Sequence, residues 1–482
     1  MVMSKAPGDR SNTKPTSNDV RSEYEPVEPV DSREALLPAE THGQDSAPVH
    51  YRVYKRRWFG LIQLVLLNLI VSWDWLSFTA LSNTSASYFG VSETAINWLS
   101  TAFLFAFCAV SPFVLWTINR GGPKAAIIIA SVLILLGNWI RYAGTRTTGG
   151  HFGVVMFGQI VIGLAQPFVL TVPTRYSDLW FTSRGRISAT ALASLANPFG
   201  GALGQLINPF WASEPVDIPN MVLYVSIMAT IASIPGFFIP AAPPSPPCAS
   251  AAQEKYPVGQ SLKAIVRSVE FWLIFIPFSV YVGFFNAFST LLNQILSPYG
   301  FTEVQAGICG ALLIVVGLVV SAITSSIFDR HNLSRRAIKV QVPIIGLCYL
   351  IFIWAPGTHT LAAPFIISSV LGAASFSLLP LALELLVEHA HPVSPEVTSV
   401  VCWTGSQLLG AIFLLIMNAL KDDDSADPPY SMRRALLFEA AVALLVVPLP
   451  LCLGWFGRAA NARSKRAEVD LSVMRPSQLS SL

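Results

Sequence analysis

Apolar residues in this chain do not alternate and do not confine themselves to one helical face. They form long unbroken runs separated by short polar connections. A helix rises about 1.5 Å per residue and a hydrocarbon core is roughly 30 Å thick, so runs of this length predict helices that cross a membrane. The first is WFGLIQLVLLNLIVSWDWLSFTAL, Trp58 to Leu81. Five more follow at 95–118, 125–143, 152–174, 187–210 and 220–242. A Pro-rich polar break comes next, PPSPPCASAAQEKYPVGQSLKAIV from Pro243 to Val266. Six further runs occupy 268–296, 304–328, 337–356, 360–387, 397–418 and 435–457. The expected fold class is an all-α membrane protein with twelve transmembrane helices in two six-helix bundles, over 51–243 and 267–457. They are joined by a linker at 244–266 and flanked by polar tails at 1–50 and 458–482.

Composition supports the reading. Hydrophobic residues make up 53% of the 482 and charged residues only 12%, about half the share in soluble globular chains. The net charge of +3 gives no reason to expect nucleic acid as a partner; the informative quantity is where the charge lies. Lys and Arg are retained on the cytoplasmic side. One set of connections holds Arg52, Lys55, Arg56, Arg57, Arg120, Lys124, Arg175, Arg184, Arg186, Lys255, Lys263, Arg267, Arg330, Arg335, Arg336, Lys339 and the basic residues after Arg458. The opposite set holds only Arg141, Arg146, Lys421, Arg433 and Arg434. Both termini and the linker are therefore expected in the cytoplasm. The first 50 residues, rich in Ser, Pro, Asp and Glu, cannot bury enough surface to offset the entropy of ordering, and no cleaved leader is expected. Tyr24-Glu-Pro-Val27 and Leu36-Leu37 have the form of sorting signals, which leaves the plasma membrane and the vacuolar membrane as alternatives. Five of the six cysteines fall inside apolar runs and read as packing residues, with no disulfide or metal spacing.

Asp74 stands out. Counted along the helix it lies roughly 24 Å from Trp58, at membrane depth and between Trp73 and Trp75. A carboxylate there costs several kcal/mol, at least a few on lenient scales, unless it faces protein or a watery cavity. With no Lys or Arg assigned to mid-span, it is expected to line a transport path, either neutralising a cationic solute beside Trp75 or carrying a proton.

Six spans, a cytoplasmic linker and six more are the architecture of the major facilitator superfamily, which the chain resembles. In that superfamily the loop after the second span of each half carries a Gly, an Asp-Arg pair and further basic residues that hold the inward gate. The second half has Asp329, Arg330, Arg335 and Arg336 in SSIFDRHNLSRR; the first has only Arg120, Gly121, Gly122 and Lys124, without the acid. Arg175 with Asp178, and Glu384 with Glu388, are expected to complete the inner latches.

Closer resemblance lies in YKRRW, INWLS, GQIVIGLAQPFVLTVPTRYSDLWF, NPFGGALG, STLLNQI, LPLALELLVE and SQLLGAIF. Together they are similar to the feline leukaemia virus subgroup C receptor family. The resemblance implies a carrier related to proteins that move choline and ethanolamine, with haem also proposed and a lysosomal branch handling pyridoxine. In the choline carriers the site comprises a Trp on the first span, a Gln on the fourth, a Tyr on the seventh and a Gln on the eleventh. By motif these fall on Trp75, Gln166, Asn286 and Gln407. The Tyr is thus replaced by Asn286, and Asp74 stands where those relatives have Gln, so one wall of an aromatic cage is lost and a charge is gained.

Physical counting agrees with a shared depth. At 1.5 Å per residue Trp75 lies roughly 25 Å, Gln166 roughly 21 Å, Asn286 roughly 27 Å and Gln407 roughly 15 Å from the near end of its span. Facilitators bind solute near the midplane between their halves. Trp403, four residues before Gln407, adds an aromatic wall on the same helical face. The expected function is alternating-access transport of a small organic solute, cationic or amine-bearing, by a chain that works as a monomer without cofactor or metal. Efflux of a hydrophobic metabolite or haem, or a non-transporting nutrient sensor, are the alternatives. An enzyme is not expected, because no nucleophile and base converge at any membrane face.

Overall fold

The computed structural model describes residues 52–147, 149–245, 247, 257–331, 334–390 and 393–453; the side chains of 183, 184, 187, 325–331, 334, 335, 384, 387–390 and 395 are not part of that description. The tails, and the gate residues Asp329, Arg330, Arg335, Glu384 and Glu388 as side chains, therefore lie outside the described residues.

The described chain is helical. In order it forms α1 (Arg57–Leu76), α2 (Ser82–Phe89), α3 (Glu93–Thr145), α4 (Phe152–Trp180), α5 (Ser183–Trp211), α6 (Ile218–Ser233), α7 (Val258–Val266), α8 (Val269–Leu296), α9 (Glu303–His331), α10 (Ser334–Phe352), α11 (Ala362–Ala390), α12 (Pro395–Ala419), α13 (Arg433–Leu445) and α14 (Pro448–Leu451). Helices prevail because lipid offers the backbone no hydrogen-bond partner, so each segment must satisfy its own. Among the described residues, nine stretches are long and apolar enough to cross a membrane. Side chains such as Trp116, Leu136, Ile231, Ile323 and Ile366 are exposed on the outside of the molecule, the inverse of a soluble pattern and suited to lipid.

Several boundaries differ from expectation, each for a local reason. The spans expected at 95–118 and 125–143 form one element, α3, folded back on itself at Gly122. That residue adopts φ 65° and ψ −171°, which a Cβ would disfavour, and Pro123 follows it. Both ends of α3 lie at the same end of the molecule: Tyr88 donates to the Thr145 carbonyl at 2.7 Å, and Glu93 pairs with Lys421. We call this the far end, where α1 finishes, and the opposite end, where α1 begins at Arg57, the near end. The first span is interrupted: α1 stops at Leu76, Thr79–Leu81 forms a 3-10 turn, and α2 resumes at Ser82. The linker also carries a short helix, α7, that the apolar pattern did not reveal. Side-chain caps start two of the long helices, Ser92 accepting from Ala95 N–H at 3.2 Å and Ser268 from Phe271 N–H at 3.2 Å, as expected of Ser at that position.

Two hydrophobic cores form, one drawn almost wholly from α1–α6 and the other from α8–α13. Between them α5 packs on α9, and α12 packs on α3 and α4. These pairings leave a space between the halves, walled by α1, α4, α5, α8, α10, α11 and α12.

Candidate functional site

Three successive residues of α1 settle the geometry of that space. Side chains advance by about 100° per residue on a helix, so Trp73, Asp74 and Trp75 point in three directions. Trp73 turns to α5, donating from Nε1 to Asn208 Oδ1 at 2.9 Å and stacking on Trp211 with ring centroids 5.8 Å apart. Trp75 turns to the space between the halves. Asp74 turns away from it, to α3.

Contrary to expectation, Asp74 does not line the path but is paired inside the N-terminal half. Asp74 is not among the residues lining the cavity. Its Oδ1 meets Arg141 Nη2 at 3.0 Å with both side chains fully buried, and its Oδ2 accepts from Asn138 Nδ2 at 2.7 Å. By its place in the sequence Arg141 belongs with the end-of-span residues. The helix continues to Thr145, which carries the guanidinium inside the protein. The arginine also closes the end of α1: Arg141 Nη1 donates to the Asp74 carbonyl at 3.0 Å and Gln159 Nε2 to the same oxygen at 3.1 Å. Helix carbonyls freed at a C-terminus carry partial negative charge and need donors, and here a cation and an amide supply them inside the membrane. Asn138, one turn before Arg141, was the signal in the sequence for a polar face on this helix.

The other five expected residues, Trp75, Gln166, Asn286, Trp403 and Gln407, all line one cavity. Asn286 Nδ2 donates to Gln407 Oε1 at 2.8 Å, joining α8 to α12. That approach is close because Gly410 sits opposite: a Cβ there would lie 2.9 Å from Asn286 Nδ2. Two buried polar atoms are left without partners, Gln166 Oε1 and Trp75 Nε1, on side chains 3% and 4% exposed. Buried polar groups are nearly always paired, so an acceptor and a donor stand ready for a guest.

Aromatic rings form much of the wall. Trp75 faces Phe285 at 6.5 Å between centroids, Phe285 meets Phe376 edge-on at 5.3 Å, and Phe278 meets Trp403 edge-on at 5.9 Å. Tyr281, one and a half turns before Asn286, is in the lining too, its hydroxyl donating to the Ala443 carbonyl at 3.0 Å. The aromatic wall expected to be lost at Asn286 is thus built from neighbouring positions. Phe278, Tyr281, Phe285 and Phe376 escaped sequence reasoning because phenylalanine and tyrosine in an apolar run look like packing. Among the described lining residues none carries a formal charge.

Of the expected near-end latch residues, Asp178 is 2% exposed and bonds Arg175 Nη1 at 3.5 Å and Arg186 Nη1 at 3.2 Å. Arg120 is exposed and lies over the Trp116 ring at 5.3 Å; Lys124 is half-buried and Arg336 exposed. The far end holds a polar lattice that the sequence did not single out. Lys421 Nζ meets Glu93 Oε2 at 2.5 Å; Gln294 Nε2 donates to Asn97 Oδ1 at 2.8 Å, and Asn97 Nδ2 to Asn418 Oδ1 at 2.9 Å. Glu303 accepts from Asn83 N–H at 2.9 Å, from Thr84 Oγ1 at 2.6 Å and from Asn293 Nδ2 at 2.9 Å. It thereby caps the first turn of α2 from the other half, as a carboxylate at a helix N-terminus should.

Comparison with known proteins agrees with this architecture. The family model of the Major Facilitator Superfamily matches residues 64–414. Solute carrier family 49 member A3 of Danio rerio is 31% identical over 383 residues, covering 78% of this chain and 80% of the relative. The choline/ethanolamine transporter FLVCR1 of Felis catus is 29% identical over 412 residues, covering 81% and 73%. The solved structure of the nucleoside transporter NupG superposes with a TM-score of 0.60 at 11% identity over 82% of this chain and 99% of that one, a likeness of fold alone. These relatives and neighbours are transporters, not enzymes. The chain therefore belongs to the major facilitator superfamily, as an integral membrane secondary transporter that resembles the feline leukaemia virus subgroup C receptor family.

Proposed function

We propose that this protein moves a small amine-bearing or quaternary ammonium solute of the choline and ethanolamine class by alternating access through the cavity between its halves. The observation that carries the reading is the cavity itself: six aromatic side chains, no formal charge among its described lining residues, and an unpaired acceptor and donor at Gln166 and Trp75. A quaternary ammonium is attracted to aromatic faces by about 2 kcal/mol or more per contact when desolvated, without any carboxylate. A hydroxyl or amine on the same solute would bond Gln166 Oε1. Relatives named as choline/ethanolamine transporters support the same class.

The frame we propose has twelve crossings, in bundles over 51–243 and 267–457, with the linker and both termini on the side of Arg57, Arg120, Lys124, Arg175, Arg186 and Lys263. That bias makes the near side cytoplasmic. Asp178 with Arg175, and Arg120 and Lys124 with Asp329, Arg330, Arg335, Arg336, Glu384 and Glu388, act as the inner gate. The far-end lattice of Glu93, Lys421, Asn97, Gln294 and Glu303 acts as the outer one.

Uptake of labelled choline and ethanolamine into proteoliposomes tests the proposal, with 3,3-dimethylbutan-1-ol as the neutral isostere of choline. Saturable uptake is expected, inhibited by choline about 30-fold more strongly than by the isostere, the ratio that about 2 kcal/mol confers. Equal inhibition would favour a neutral hydrophobic solute and the efflux reading.

A further inference from the structure

The C-terminal half carries a carboxyl that the transport reading does not use. Glu439, on α13 (Arg433–Leu445), is 1% exposed, and its Oε1 has no hydrogen-bond partner. Among the described residues no basic side chain pairs with it. Its neighbours come from each helix packed on α13. From α10, Tyr349 lies within electrostatic reach of Glu439, as it does of Cys348 and Tyr281. From α8 comes Tyr281. α12 contributes Phe413, 6.0 Å from Phe438, while its described titratable residues Glu396 and Cys402 lie towards the opposite, near end. On α13 itself Arg433 and Arg434 are exposed in the first turn, Arg434 Nε reaching Asp422 Oδ1 at 3.2 Å.

An ionised carboxylate buried this fully, with no cation beside it among the described residues, is costly, and the neutral acid is the form that an apolar interior retains. Asp74 is different, since Arg141 compensates it. Glu439 is also tied to the transport cavity. The Tyr281 hydroxyl donates to the Ala443 carbonyl, one helical turn beyond Glu439 on the same face, and Tyr281 lines the cavity. We propose that Glu439 is a proton-binding site: it takes a proton from water while the cavity is open to one side, holds it while buried as here, and gives it up to water on the other, with Tyr281 linking its occupancy to the solute. The proton site stands on the burial of Glu439 alone; the coupling rests on the transport reading above.

Two measurements separate these parts. Infrared difference spectroscopy of the full-length protein in lipid nanodiscs, stepped between acidic and alkaline pH, reads the carbonyl band of protonated carboxyls. A band present in the wild type and missing from Glu439→Gln is expected; identical spectra would overturn the proton site. Tyr281→Phe serves as the second variant should Glu439→Gln not be recovered, and a displaced band is expected there because the carboxyl remains while its surroundings change; an undisplaced band would overturn the link. In proteoliposomes, an imposed proton gradient should raise accumulation of labelled choline or ethanolamine several-fold in the wild type. Glu439→Gln should show no such rise while keeping choline counterflow. Wild-type flux indifferent to the gradient would overturn the coupling, whereas absence of any choline flux with the band intact would overturn the transport reading and leave the proton site standing.

Discussion

Asp74 and Arg141 meet at 3.0 Å with both side chains fully buried, and the same guanidinium bonds the carbonyl of Asp74 at 3.0 Å. One arginine thus neutralises the acid of α1 and closes the helix that carries it, immediately before the chain breaks at Ser77. Trp75 is the residue positioned by this arrangement: Gln159 Nε2, which Arg141 holds through Gln159 Oε1 at 2.7 Å, also reaches the Trp75 carbonyl at 3.5 Å.

Removing one member of a buried pair leaves the other uncompensated, which costs about 3–5 kcal/mol. Arg141→Gln is therefore expected to lower the thermal stability of the purified protein sharply, and Asp74→Asn with Arg141→Gln together to recover much of the loss. A double-mutant cycle on melting midpoints in detergent checks this, and additive losses would show that the two groups do not act as a unit.

Gln166 Oε1 lacks a partner in the protein, so a solute hydroxyl that bonds it gains what is otherwise forfeited. Gln166→Leu should weaken choline binding about tenfold, the value of one buried hydrogen bond, and leave tetramethylammonium, which has no hydroxyl, unchanged. Competition binding with both cations distinguishes this from general damage to the cavity.

Asn286 and Gln407 bridge the two helices that form one wall. Asn286→Ala leaves Gln407 Oε1 without its donor, at a cost of about 1–3 kcal/mol. The expected result is a higher KM for choline with the maximal rate less affected, read from initial uptake rates.

At the far end, Glu303 caps α2 across the halves, whereas Glu93 and Lys421 are each partly exposed, at 29% and 18%, where an ion pair contributes at most about 1 kcal/mol. Glu303→Ala should open the far end and Glu93→Ala much less so. Labelling of a cysteine placed at Asn286, in a background without native cysteines, by a membrane-impermeant thiol reagent applied from the far side should rise markedly for the first and slightly for the second.

How far the chain could be read depended on what kind of signal each feature leaves. Spanning helices were legible because lipid demands long apolar runs; the cavity residues Trp75, Gln166, Asn286 and Gln407 were legible through motifs shared with the choline carriers, with counting along the spans in agreement, and Trp403 through its spacing of four from Gln407. Asp74 was conspicuous as a charge inside an apolar run, yet a buried charge signals only that something compensates it. Arg141, near the end of its run, looked like an ordinary span terminus until the extra turn to Thr145 placed it opposite. The break at Ser77 was hidden because its donors come from α3 and α4, distant in sequence. Glu439 lies in a weakly patterned run after two arginines, and only its burial separates it from a surface acid.

On this reading a quaternary ammonium sits among neutral aromatic walls and not beside Asp74. The most direct measurement is a structure of the protein with arsenocholine, locating the arsenic by its anomalous scattering. A peak is expected in the cavity within about 6 Å of the Trp75 and Trp403 ring faces, the reach of a cation–π contact. A peak at Asp74, or none in the cavity at saturating ligand, would contradict the reading.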